Sequence, residues 1–250
     1  MTLDTLNSYL EQLLAPHSFK DYCFNGIQVR GKEKIQRVAF AVSASLEAIE
    51  QAIAGGADAL IVHHGLFWHK DPHQLFGVQK EKVKALLMHD ISLLAYHLPL
   101  DAHQEIGNNW KVALDLNWQE RAPFGLFQGT PIGVKGVFSP MPIEAFIHSI
   151  ESYYNHAAHR ALGGKKEVRS AALISGGAHR SIDEAIQEGV DCFITGSFDE
   201  PTWYQALEGK VHFLALGHSA TEKVGPRALA LKVGSDLNLE TFFIDNNNPF

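Results

Sequence analysis

The sequence predicts an α/β protein built from two similar α/β subdomains. Three observations carry that expectation. Strand-like apolar runs alternate with helical ones, two stretches of the chain repeat, and 250 residues at 46% hydrophobic and 20% charged are enough for a full core. The apolar share and the even spread of charge exclude a disordered chain. No apolar run approaches the roughly 18 residues that a membrane-spanning helix needs.

Taken in order, Thr5 to Leu14 places Leu6, Leu10, Leu13 and Leu14 at helical spacing, and Pro16 stops that helix. Asn25-Gly26 makes a turn before the strand-like Ile27 to Val29. Arg37 to Val42 reads as a buried strand, Leu46 to Ala54 as a helix ending at Gly55-Gly56, and Ala59 to Val62 as a second buried strand. Strand, helix and strand with short connections predict a parallel βαβ unit. Lys80 to His89 continues as a helix, Ile91 to Tyr96 as a strand and Trp110 to Leu116 as a helix. Gln119 to Ser139, rich in Gly, Pro and Phe, reads as hairpin or loop, Pro142 to Tyr154 as a helix, and His156 to Lys166 as a polar connector. The expected organisation is 1–117 as an N-terminal half with its leading helix, 118–167 as an intervening segment, and 168–250 as a C-terminal half.

The repeat supports the two halves. Asp58 and Asp191 lie 133 residues apart, and aligning them sets Ala48 to Val62 over Ser181 to Thr195 with matching Ile, Ala and Gly positions. Further on, an offset of 121 lays Leu93 to Asp101 over Leu214 to Glu222, with His97 over His218 and Asp101 over Glu222. Chance likeness between two ordinary βαβ units is the rival reading, because both need Gly and aliphatic residues for packing.

Fourteen histidines in a chain with two cysteines and a net charge of −7 direct attention to metal ligands. The cysteines, Cys23 and Cys192, fit a reducing setting, and Met1 to Ser18 lacks the basic and apolar regions of a secretory signal, so a cytoplasmic location is expected. His63-His64-Gly65 follows an apolar strand, at the end where α/β sheets bind ligands. Neighbouring strand residues point to opposite faces, so both imidazoles serve one site only where the strand breaks at Gly65. Two solvated histidines at a strand end are the alternative. His97 and Asp101 follow the next strand, and Pro99 between them predicts a loop. His218 and Glu222 follow a third. There, helical spacing puts both on one face, while Ser219 to Glu222 also reads as a capping box. His69 and His73 are placed at the mouth of a pocket. His17, His89, His103, His148, His156, His159 and His212 read as surface or packing residues. Gly176-Gly177 before His179 permits a close backbone approach to phosphate, or simply a turn. Imidazole and carboxylate together suit Zn, Fe, Mn, Co or Ni, and five or six donors exceed the needs of one tetrahedral ion, which predicts a dinuclear centre.

The segments Asn25 to Val29, Gly56 to Trp68, Tyr96 to His103, Gly107 to Asn109, Asp191 to Gly196 and Gly217 to Glu222 together resemble the YbgI-like dinuclear-metal proteins. These are known as GTP cyclohydrolase I type 2 homologues. The resemblance spans nearly the whole chain. It implies two similar subdomains with the metal site between them, a toroidal homohexamer, and two divalent ions held by His63, His64, Asp101, His218 and Glu222. His97 is implied as a sixth or outer group. The chain is the short form, without the middle domain of some relatives. The family pattern places an acid where this chain has Ser197, so a role for that acid is not carried over.

A metal-dependent hydrolase of a nucleotide or related small molecule is the leading functional expectation. For a guanine nucleotide, water would attack C8, with His97 as proton shuttle. A metal-storing, delivering or sensing protein uses the same ligands. A ring that contacts DNA is the third reading. The net charge opposes it, although Lys32, Lys34, Arg37, Lys165, Lys166 and Arg169 could gather on one rim. A membrane partner is not expected.

Overall fold

The computed structural model describes residues 1–72 and 74–250. His73, placed at a pocket mouth by the sequence, lies outside the described residues. The chain opens with α1 (Leu3–Leu14), β1 (Gly26–Val29), β2 (Arg37–Ser43), α2 (Leu46–Ala54) and β3 (Ala59–His64). It continues through α3 (Gly77–Met88), β4 (Ser92–Ala95), α4 (Leu98–Ala102), α5 (Trp110–Asp115), β5 (Gln119–Phe127), β6 (Thr130–Pro142) and α6 (Ile143–Tyr154). The remaining elements are β7 (His159–Leu162), β8 (Glu167–Leu173), α7 (Ile182–Glu188), β9 (Cys192–Thr195), α8 (Glu200–Gly209), β10 (His212–Ala215), α9 (His218–Thr221), α10 (Val224–Leu237) and β11 (Glu240–Phe243). The result is a mixed α/β fold with two sheets. Among the described residues, no helix is long and apolar enough to cross a membrane.

Local chemistry explains the element ends. Thr2 caps α1 by accepting a hydrogen bond from the Thr5 amide, and the helix buries Leu3, Leu6, Leu10 and Leu14 before stopping at Ala15, which is left-handed and precedes Pro16. Ser45 caps α2 in the same way by accepting from the Ala48 amide. Both cysteines are free and buried, and burial pushes the Cys23 thiol up to about 12.

Two compact units result: Met1–Leu100 with Gly225–Asn247, and Asp101–Val224 with Asn248–Phe250. The first holds a sheet in the order β1-β4-β3-β2-β11, in which β4, β3, β2 and β11 are parallel and β1 is antiparallel to β4. The second holds β5-β6-β8-β9-β10-β7, with β8, β9 and β10 parallel and the flanking strands antiparallel. The parallel strands are buried on both faces, β9 and β10 at every residue and β3 at all but His64, in keeping with their largely apolar sequences. Each unit surrounds its strands with its own apolar core, Leu60, Val62 and Leu93 in the first and Leu173, Ile194 and Leu214 in the second.

The grouping differs from chain order at two places. β11 leaves the 168–250 half and pairs with β2 of the first sheet, because β2 would otherwise present an open edge. The intervening 118–167 supplies β5, β6 and β7 to the second sheet, and β7 turns the expected polar connector into an edge strand paired with β10. The loop that Pro99 predicts is instead helical, with Pro99 the second residue of α4. In a first turn the missing N–H has no partner to lose, so proline fits there.

One bonding pattern recurs in both units. Asp58 Oδ2 accepts from the amides of Gln36 and Arg37 at 2.7 and 3.0 Å, and Asp191 Oδ2 accepts from those of Arg169 and Ser170 at 2.9 and 3.1 Å. The strand registers match as well, Val38 opposite Ala59 and Ala171 opposite Cys192. Replacing Asp58 with Ala removes the acceptor of two main-chain donors and the partner of Lys32. The expected cost is about 2–3 kcal/mol, read as a lower urea midpoint at unchanged slope.

Candidate metal centre

In the first unit three imidazoles meet at the carboxyl ends of parallel strands. His63 and His64 close β3, and His97 follows β4. The ring centroids of His63 and His64 are 4.7 Å apart, those of His63 and His97 4.9 Å, and those of His64 and His97 5.6 Å. One donor nitrogen from each lies within 4.8 Å of the others. His63 is fully buried and His97 nearly so. Trp68 packs edge-on against His97, with ring centroids 5.2 Å apart.

Every ring of this trio is held at Nδ1. His63 Nδ1 donates to the main-chain oxygen of Tyr96 at 3.2 Å, which fixes the tautomer with the lone pair on Nε2. His64 Nδ1 meets Ser43 Oγ at 3.0 Å, and His97 Nδ1 meets Asp21 Oδ1 at 2.9 Å. Burial alone would raise the Asp21 carboxyl, but hydrogen bonds from His97, Cys23 and Asn25 outweigh it and hold the group down at about 2. A ligating imidazole is normally tethered in this way at its second nitrogen.

The second unit holds a carboxylate-rich set. Asp101 is buried, and its Oδ1 accepts from Asn108 Nδ2 at 2.9 Å and Ser175 Oγ at 3.0 Å. His218 and Glu222 face each other across one helical turn, Nε2 to Oε1 at 3.2 Å. His218 Nδ1 contacts Ser197 Oγ at 3.3 Å. The capping-box alternative is not realised: α9 starts after Gly217, Ser219 lies inside it, and the Glu222 amide donates to the Ser219 main-chain oxygen. Gly176 makes room for the pair. A Cβ on it would come within 2.2 Å of Glu222 Oε1 and 3.1 Å of His218 Nε2. The Gly-Gly turn therefore serves a carboxylate.

The sequence profile of the Duf34/NIF3 (NGG1p interacting factor 3) family matches residues 1–249. This chain belongs to the Duf34/NIF3 family. Relatives named "GTP cyclohydrolase 1 type 2 homolog" from Chlamydia pneumoniae and Chlamydia trachomatis are 50% and 51% identical, over the full length of this chain and of theirs. A solved structure described as protein ybgI, of unknown function, superposes with a TM-score of 0.93 at 36% identity, covering both chains completely.

Several residues of this Duf34/NIF3 chain that hold the histidines and the loop after them carry no metal-ligand signature in the sequence. Asn25 Oδ1 accepts from the His97 amide while its Nδ2 donates to Asp21. Gln28 Oε1 accepts from the Leu66 and Phe67 amides, pinning the loop after the His pair. Their shared place in Asn25 to Val29, beside the turn, was the available signal. His156 and His159, read as surface residues, line a pocket of ≈ 260 Å³ with Ser197, Phe198 and His218. Exposed His69 lies on Phe24 with ring centroids 4.0 Å apart, and His179 pairs with Asp199 at 3.3 Å.

Gly176→Ala is expected to displace Glu222 and to strain a backbone at φ +67°. Thermal unfolding should report a loss of at least about 1 kcal/mol, and titration with zinc a weaker or substoichiometric uptake.

Proposed function

We propose that this Duf34/NIF3 protein is a metal-dependent hydrolase of a nucleotide or related small molecule, with His63, His64, Asp101, His218 and Glu222 as ligands of two divalent ions. The ions are drawn from Zn, Fe, Mn, Co or Ni. The observation that carries this reading is the tethering: the imidazoles are each held at Nδ1, and Asp101 is held at Oδ1. Side chains fixed at one atom aim the other, and an oriented set of imidazole and carboxylate donors suits these metals. The names of the relatives support a hydrolytic activity on a guanine nucleotide.

A bound pair of such ions supplies Lewis acidity and an acidified water. The protein's own contribution is orientation and exclusion of solvent. Trp68 and Tyr22 wall off His97, and Ser43 and Ser197 set the rings of His64 and His218. His97, fixed with a lone pair on Nε2, is suited to accept a proton or to bind an ion. The fold-level part of the reading is a gene duplication, supported by the paired Asp58 and Asp191 bonds and matching registers. A toroidal homohexamer in the cytoplasm is the assembly and setting that the family resemblance suggests.

The ligand assignment predicts that His63→Ala combined with His218→Ala abolishes stoichiometric metal in elemental analysis while the circular dichroism stays native. Undiminished metal overturns it. Turnover of a nucleotide panel by protein loaded with each defined metal is the expected sign of the enzyme. Absence of any product, with transfer of metal to an apo-acceptor, would instead establish a metal-storing or delivering protein.

A further inference from the structure

Asp21 lies in the loop between α1 and β1, and nothing in its sequence surroundings marks it as functional. Its side chain is 2% exposed. Its two oxygens are each used twice: Oδ1 accepts from His97 Nδ1 at 2.9 Å and the Cys23 amide at 3.0 Å, and Oδ2 from Asn25 Nδ2 and the Leu98 amide, both at 3.0 Å. Two of these donors, the His97 ring and the Leu98 amide, belong to the start of the His97–Asp101 segment. The carboxylate thus grips that segment by both ring and backbone. Asn25 adds a third hold by accepting from the His97 amide at 2.8 Å.

We propose that Asp21 is a positioning residue that makes His97 a metal ligand. A carboxylate accepts and does not donate, so the shared proton belongs to His97 Nδ1, and in the neutral ring the lone pair is on Nε2. The ring cannot swing away, because Tyr22 and Trp68 each stand 5.2 Å from it and His63 stands 4.9 Å away. His97 thereby becomes a third imidazole donor beside His63 and His64, within the 4.8 Å grouping of their nitrogens. A carboxylate behind the imidazole also raises its basicity as a ligand. This assignment rests on the metal-centre reading above and adds to it a ligand and the residue that orients it.

The test uses the full chain and cobalt(II). In metal-stripped wild-type protein, long-range 1H–15N correlation spectra should show His97 protonated at Nδ1 and bare at Nε2. In Asp21→Asn, whose amide can donate to Nδ1, the ring should move toward the Nε2–H form. Cobalt(II) affinity should fall about 10- to 100-fold, with an altered visible spectrum. Asn25→Ala, which keeps the carboxylate, should leave the tautomer unchanged. A wild-type His97 protonated at Nε2, or Asp21→Asn with wild-type cobalt affinity and spectrum, overturns the proposal. The wild-type spectrum decides the tautomer even if Asp21→Asn fails to fold. A wild-type protein that takes up no cobalt(II), with its His97 tautomer as expected, overturns the metal-centre reading itself and the ligand role with it.

Discussion

An imidazole has two nitrogens, and one of them aims reliably only when the other is tied. That constraint governs the histidines of both units. The ties come from chemically different sources: a main-chain oxygen for His63, hydroxyls for His64 and His218, a carboxylate for His97. Each source is placed by a different part of the fold. Ser43 ends β2 in register with His64, so the sheet itself delivers that bond. Tyr96 follows β4, the neighbour of β3, so its main-chain oxygen reaches the His63 ring for the same reason. Asp21 comes from an irregular loop, and Asn25 and Gln28 hold the nearby chain in place.

The strand ends supply what the ties refine. Parallel strands buried on both faces are mostly apolar along their length, and α/β sheets bind ligands at the carboxyl ends where they stop. β3 changes from four apolar residues to two histidines within one strand. In the second unit the corresponding positions hold Gly176, Gly196 and Gly217, of which Gly176 lies against Glu222 and His218 and Gly196 against the His218 backbone. Small residues there let an imidazole and a carboxylate occupy space that side chains would otherwise fill.

Much of this was legible in the sequence. The βαβ order, the His-His pair and the His218–Glu222 spacing all follow from periodicity and position. Bonds between residues remote in sequence did not. Asp21 meets His97 across 76 residues of chain, and Ser175 meets Asp101 across 74. A single acid or serine in a loop carries no pattern that declares such a partner. Pro99 differs in kind: proline breaks helix interiors, but in the first turn of α4 it has no N–H partner to lose. Likewise β11 is four residues long and only partly buried, a weak local signal whose identity as a strand comes from the edge it joins.

That last strand bears on how the protein is made. The first unit consists of Met1–Leu100 and Gly225–Asn247, so the chain of the second unit is threaded between its two parts. During synthesis β2 can pair with β3 early, but its other edge waits for β11, some 140 residues beyond Leu100. At roughly 5–20 residues per second, that wait lasts on the order of ten seconds or more. For that interval β2 has an uncovered side, a surface on which another nascent strand could settle. The second unit's sheet, by contrast, is drawn wholly from residues 119–215 and can close while the first is still incomplete. Assembly order and chain order of the two sheets are therefore opposed, and the sheet that begins first is the one that finishes last.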